Sequence, residues 1–196
     1  ASLALLGKQV LCLDGDVGLR NLDITLGMTD AALMDFSDVM AGRCDLSRAA
    51  VPHPTVSGLH LLTAPLTLPG DFSGEAGFQA LLQQAREAYD YVLIDSPAGL
   101  GPGFRLAVCG ADRAIVVAVS DPSSLRDAQR VVTQLSQLET IHLVVNRVRP
   151  RLLRRQNTTI DDAMDTAGLP LLGLVPEDPK VVLAATEGRP LAQLGA

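Results

Sequence analysis

Short apolar runs bounded by turn residues recur along the 196-residue chain at 9–13, 59–63, 91–94, 114–119, 141–145 and 171–175. Segments of helical pattern lie between them. The cleanest follows Asp121-Pro122, an N-cap with proline at the first helical position. Leu125, Val131, Val132, Leu135 and Leu138 then fall on one face at helical spacing. Segments 30–40, 73–88, 158–167 and 178–186 also read as helices. Strands alternating with helices require right-handed crossovers, so the expected fold class is α/β, a mostly parallel sheet flanked by helices on both faces. Composition agrees. Hydrophobic residues make up 47% of the chain and aromatics only 3%, so Leu, Val, Ile and Ala must build the core, as in a buried parallel sheet. The length suits a single domain over 1–196. Only 43–58, interrupted by Pro52 and Pro54, resists assignment.

Several function classes find no support. No apolar run approaches the roughly 20 residues that cross a bilayer, and no signal-peptide pattern opens the chain. Cys12, Cys44 and Cys109 are odd in number and scattered. They show neither metal-ligand spacing nor a disulfide framework, which suits a reducing cytoplasm, with Cys12 and Cys109 as buried thiols. His53, His60 and His142 have no triad or metal spacing, and neither G-x-S-x-G nor H-E-x-x-H occurs. The net charge of −6 argues against a surface given over to nucleic acid. One basic cluster stands out, Arg147, Arg149, Arg151, Arg154 and Arg155; it reads as a solvated loop or as a contact for phosphates, acidic lipids or a partner.

Two strand ends carry the chemistry. Val10 to Leu13 ends in Asp14-Gly15-Asp16, two carboxylates one residue apart, and Tyr91 to Ile94 ends in Asp95-Ser96-Pro97-Ala98-Gly99. Ligands of α/β proteins gather outside the carboxyl ends of the strands. Strand-end carboxylates followed by a glycine that can swing are what a magnesium–nucleotide site needs. Asn146 ends a third apolar run, where its amide offers a donor and an acceptor to an adenine edge; a plain turn asparagine is the alternative.

The chain resembles the MinD branch of the MinD/ParA ATPases, deviant Walker-type P-loop enzymes of bacterial division-site and plasmid placement. The resemblance runs through LDGDVGLRNLDITLG (13–27), IDSPAG (94–99), Ala111-Asp112, SSLRD (123–127), Asn146-Arg147 and Val175-Pro176-Glu177-Asp178, in the family's order. It implies ATP and Mg²⁺ as cofactors. It assigns Asp16 to the attacking water, Asp14 to the supporting water and metal network, and Asp95 to Mg²⁺ through a water. Gly99 lets the following loop move, and Asn146, Arg147, Pro176 and Asp178 line the base pocket. It further implies a homodimer formed on ATP binding, division inhibitor and activator proteins as partners, and a cytoplasmic protein held peripherally on the inner face of the bacterial membrane. No nucleic acid is expected.

One departure accompanies the match. The family's Lys- and Gly-rich phosphate loop has no counterpart here, since the Gly7-Lys8 pair is followed by Gln9. The expectation is therefore an excerpt lacking the first strand, the P-loop and a C-terminal membrane helix, weak or inactive toward ATP as it stands. Strands 91–94 and 114–119 would flank the absent strand. Two other readings remain: a ParA-type partition or flagellar-placement ATPase, and a non-catalytic interaction protein derived from this fold.

Overall fold

The computed structural model describes residues 1–68, 70, 74–149 and 159–193. These fall into two compact units, one of Ala1–Gly110 with Lys180–Ala196 and one of Ala111–Pro179. In the first unit the elements run α1 (Ser2–Leu5), β1 (Val10–Asp14), α2 (Leu22–Leu26), α3 (Phe36–Met40), α4 (Leu46–Ala49), β2 (Val51–Pro52), β3 (Leu59–Leu62), α5 (Gly74–Ala88), β4 (Tyr91–Asp95) and α6 (Pro102–Val108). The second holds β5 (Arg113–Val119), α7 (Pro122–Gln134), β6 (Thr140–Val148), α8 (Ile160–Ala167) and β7 (Leu171–Pro176). Helix α9 (Pro179–Thr186) and a 3₁₀ turn (Leu191–Gln193) carry the chain back to the first unit.

The first sheet has the order β2-β3-β1-β4. β1 lies between β3 and β4, parallel to both, and only the short β2 is antiparallel. Every residue of β1 is buried. Because side chains alternate across a strand, Leu11 and Leu13 enter one core and Val10 and Cys12 the other. The first core takes in residues of α3, α4, α5 and α6; the second takes in Ala4, Leu26 and Met28, from α1 and the α2 region. Helices thus cover both faces of β1, as the uninterrupted apolar run requires. In α5 the buried residues Phe78, Leu81, Leu82 and Ala85 repeat at helical spacing. Phe78 meets Phe36 edge to face, with ring centroids 5.5 Å apart, the arrangement favoured by the ring quadrupoles.

The second sheet, β5-β6-β7, is parallel throughout. Val116 and Ala118 of β5 and Leu143 and Val145 of β6 share one buried face, and α7 and α8 pack on these strands. Ile115 and Val117, pointing the other way, are exposed.

The expected strands all form; the helices differ in instructive places. The segment 30–40 is helical only over Phe36–Met40. Asp30 takes a left-handed φ of 60°, and Asp35 starts the helix by a reciprocal capping box with Asp38. Within 43–58 the chain forms α4 and then β2, whose Pro52 lies on an edge strand where a missing N–H is tolerated. Gly101-Pro102-Gly103, residue types common in loops, opens α6 with Gly101 at its N-cap and Pro102 in its first turn. Cys12 is buried as expected, but Cys109 is only half-buried, its Sγ donating to the Leu106 carbonyl at 3.1 Å. His53 is structural: its Nδ1 accepts the Thr55 and Val56 N–H groups and its Nε2 meets the Leu26 carbonyl at 3.0 Å.

Candidate active site

β1 and β4 end together. Their parallel register sets Asp14 opposite Asp95, so two carboxylates emerge at the carboxyl edge of neighbouring strands. The chain then turns at Gly15, which is buried and donates its N–H to the Asp95 carbonyl at 2.9 Å. A Cβ on Gly15 would lie 2.7 Å from that oxygen, so only glycine lets the loop stay this close to β4.

Asp14 is fully buried. Its Oδ1 accepts the Asp16 N–H at 2.9 Å and its Oδ2 the Leu22 N–H, at the start of α2, at 3.2 Å. Burial pushes its carboxyl up from the usual carboxylate range. The charges of Asp16 and Asp23 add to this, against the pull of the two N–H donors. Asp95 is raised as well, first by desolvation and then by the charges of Asp14 and Asp16. Carboxylates that resist ionisation side by side are set to receive a cation, and hard oxygen ligands are what Mg²⁺ prefers. Among the described residues no three His, Cys, Asp or Glu side chains are grouped to hold a metal.

Asp16 is half-buried. It borders a cavity of about 630 Å³ whose walls include Val17, Leu68, Pro97, Phe104 and Arg105. Gly99 is exposed, with a left-handed φ of 86° and nothing near its Cα that a side chain would strike. Asp14, Asp16, Asp95 and Gly99 all belong to the first unit.

Asn146, Arg147, Pro176 and Asp178 belong to the second unit. The Asn146 Oδ1 accepts the Arg147 N–H at 2.9 Å, which supports the left-handed φ of 54° at Arg147. One acceptor position of the amide is therefore spent on its own backbone, and its NH₂ donors remain. Pro176 pairs in register with Val148, and the Glu177 N–H donates to the Val148 carbonyl at 3.1 Å. The two loops thus share one end of the sheet. Glu177 also binds Arg147, at 3.3 Å, and Arg149. Both described arginines of the basic cluster thus converge on one carboxylate, while Arg151, Arg154 and Arg155 lie outside the described residues.

Three residues of this region escaped the sequence reading. Gly15 matters for its missing Cβ. Asp23 is buried and bonded to the Ile24 N–H at 2.7 Å. Arg20 takes a φ of 50°. A glycine between two strand-end aspartates was a readable signal; the conformation of Arg20 left no trace in residue type.

Comparison with known proteins agrees with this geometry. The model of the AAA domain family matches residues 1–151. Septum site-determining protein MinD of a Synechocystis species is 38% identical over 194 residues, covering 97% of this chain and 73% of that protein. In the MinC:MinD cell division protein complex of Aquifex aeolicus, the matching chain superposes with a TM-score of 0.88 at 34% identity, over 98% of this chain and 78% of that one. The MinD of Pyrococcus horikoshii, solved with Mg-ADP, gives 0.82 at 27% identity, over 99% and 79%. With strand order, carboxylate register and these relatives in agreement, the chain belongs to the MinD/ParA family of P-loop ATPases, on its MinD side.

Proposed function

We propose that this chain is the body of a MinD-like ATPase of bacterial division-site placement, whose full-length form hydrolyses Mg-ATP with the carboxylates at the ends of β1 and β4. The observation that carries the reading is the Asp14–Asp95 register, held tight by the Gly15 N–H on the Asp95 carbonyl. When bound, Mg²⁺ would neutralise charge on the phosphates, and Asp95 would hold it. Asp14, fixed by two backbone donors, orders the waters beside it. Asp16 orients the attacking water in line with the γ-phosphate, and Gly99 lets its loop relax when that phosphate leaves. Asn146, Arg147, Pro176 and Asp178 contact the base.

In this reading ATP brings two copies together as a homodimer, and the dimer binds the inner face of the membrane peripherally. A division inhibitor, as in the MinC:MinD complex, and an activator of hydrolysis are its partners. Nucleic acid has no part, in keeping with the net charge of −6. No helix among the described residues is long and apolar enough to cross a membrane.

The test is Mg²⁺-dependent phosphate release from ATP by the full-length protein, carrying the family's phosphate loop, and by its Asp16→Ala variant. The variant is expected to lose about 100-fold or more in kcat while ATP affinity stays within a few-fold. Equal losses in both would make Asp16 a ground-state ligand. No turnover by the full-length wild type would favour the non-catalytic reading.

A further inference from the structure

Resting on that reading, one residue of the RNLD segment has a conformation its type does not explain. The loop from Gly15 to Leu22 is pinned by backbone donors at Gly15, Asp16, Gly18, Arg20 and Leu22. Two of its residues have positive φ, Gly18 and Arg20. Glycine takes that conformation freely; arginine is strained in it. Such outliers persist only where the surroundings impose them, and they cluster at functional sites. What imposes this one is visible. The Arg20 N–H donates to the Asp16 carbonyl at 3.1 Å, closing a five-residue turn on the candidate catalytic aspartate. The guanidinium leans on buried Asp23, with its Nε 3.8 Å from Oδ2. That Nε is buried and makes no hydrogen bond, so the side chain is held by charge and packing rather than by a hydrogen bond at this atom.

We propose that Arg20 is a positioning residue for Asp16: its left-handed backbone sets the turn that presents the aspartate, and its guanidinium, lodged against Asp23 in the first turn of α2, holds the turn in that shape. Asp14 binds the same helix start through the Leu22 N–H. The two aspartates of the D-x-D pair are therefore tied to α2 by separate routes, Asp14 directly and Asp16 through Arg20.

The experiment compares Arg20→Gly and Arg20→Lys with the wild type, all in the full-length protein that carries the family's phosphate loop. Glycine accepts a φ of 50° without strain, so Arg20→Gly keeps the backbone and removes only the side-chain hold. Steady-state ATP hydrolysis separates kcat from KM, and hydrogen exchange reports on the amides of 16–22. Arg20→Gly is expected to lower kcat about tenfold with KM unchanged within twofold, and to speed exchange across 16–22 about tenfold. Arg20→Lys, which restores a cation opposite Asp23, is expected to recover much of both. Wild-type kcat and exchange in Arg20→Gly would overturn the proposal. So would parallel changes in kcat and KM, which mark a substrate contact, or an Arg20→Lys no better than Arg20→Gly. If the full-length wild-type protein fails to turn over ATP, the functional reading falls, and unchanged exchange in Arg20→Gly would then refute the positioning role independently.

Discussion

Replacing Gly15 with alanine tests the joint between the two acidic strand ends. The new Cβ would stand 2.7 Å from the Asp95 carbonyl oxygen, about 0.6 Å inside the ~3.3 Å at which carbon and carbonyl oxygen meet comfortably. That oxygen is backbone of a paired strand and cannot rotate away, so the loop must lift. Lifting by about 0.6 Å stretches the 2.9 Å hydrogen bond from the Gly15 N–H beyond useful range. An unsatisfied buried donor costs about 1–3 kcal/mol. The lost backbone freedom of the unfolded chain returns about 0.4–1 kcal/mol, leaving a net destabilisation of about 1–2 kcal/mol. The same displacement moves Asp16 relative to Asp95, and misplacement on that scale is expected to cost about tenfold or more in kcat. Urea unfolding and steady-state hydrolysis measure the two effects. Gly173→Ala serves as reference, since nothing lies within 4 Å of its added Cβ and its φ is not positive; it should be neutral or slightly stabilising. A Gly15→Ala protein indistinguishable from Gly173→Ala in both assays would refute the reasoning.

Gly27→Ala would place a Cβ 1.7 Å from the Gly188 carbonyl oxygen, whereas Gly42→Ala, at nearly the same φ, meets nothing within 4 Å; the first should cost about 2–4 kcal/mol more than the second in urea unfolding. Asp35→Ala removes the capping box of α3 and should lower stability by about 1–2 kcal/mol, read from the same transition. Folding raises the Asp95 pKa, chiefly through burial and then through Asp14 and Asp16. Its favourable contribution is therefore complete below the unfolded value and disappears as pH rises through the folded one. Asp95→Asn should accordingly be more stable than the metal-free wild type at pH 7, with the difference shrinking as pH falls toward 4; an advantage that grows on acidification would contradict the shift.

β1 was legible because burial on both faces leaves a plain mark in Val10-Leu11-Cys12-Leu13, where neither face tolerates a polar residue. The acidic pair was legible for a related reason: two carboxylates at the end of such a run serve no packing purpose. Other features depend on contacts distant in sequence. Gly103 lies inside α6, where a Cβ would come 2.8 Å from Pro97, so a Gly-Pro-Gly string that reads as loop becomes a helix start. The antiparallel β2 is stabilised by pairing with Leu61 and His60 of β3, not by its own two residues. Asn146 drew attention as a base contact, but part of its hydrogen-bonding capacity serves Arg147, a division of labour fixed by a left-handed backbone that residue type alone does not announce.

The return of the chain end to the first unit bears on how the protein is made. Gly188 closes on Gly27, and the Gln193 amide donates to Thr55 Oγ at 2.9 Å, so two glycines 161 positions apart must meet before that unit is finished. Ribosomes add roughly 5–20 residues each second. Residues 111–179 therefore occupy synthesis for about 3–14 s, while the surface around Leu26, Gly27 and Pro54 waits uncovered. A nascent chain stalled anywhere in that interval presents an apolar seam to chaperones and proteases, even though every strand of its first sheet has already been translated.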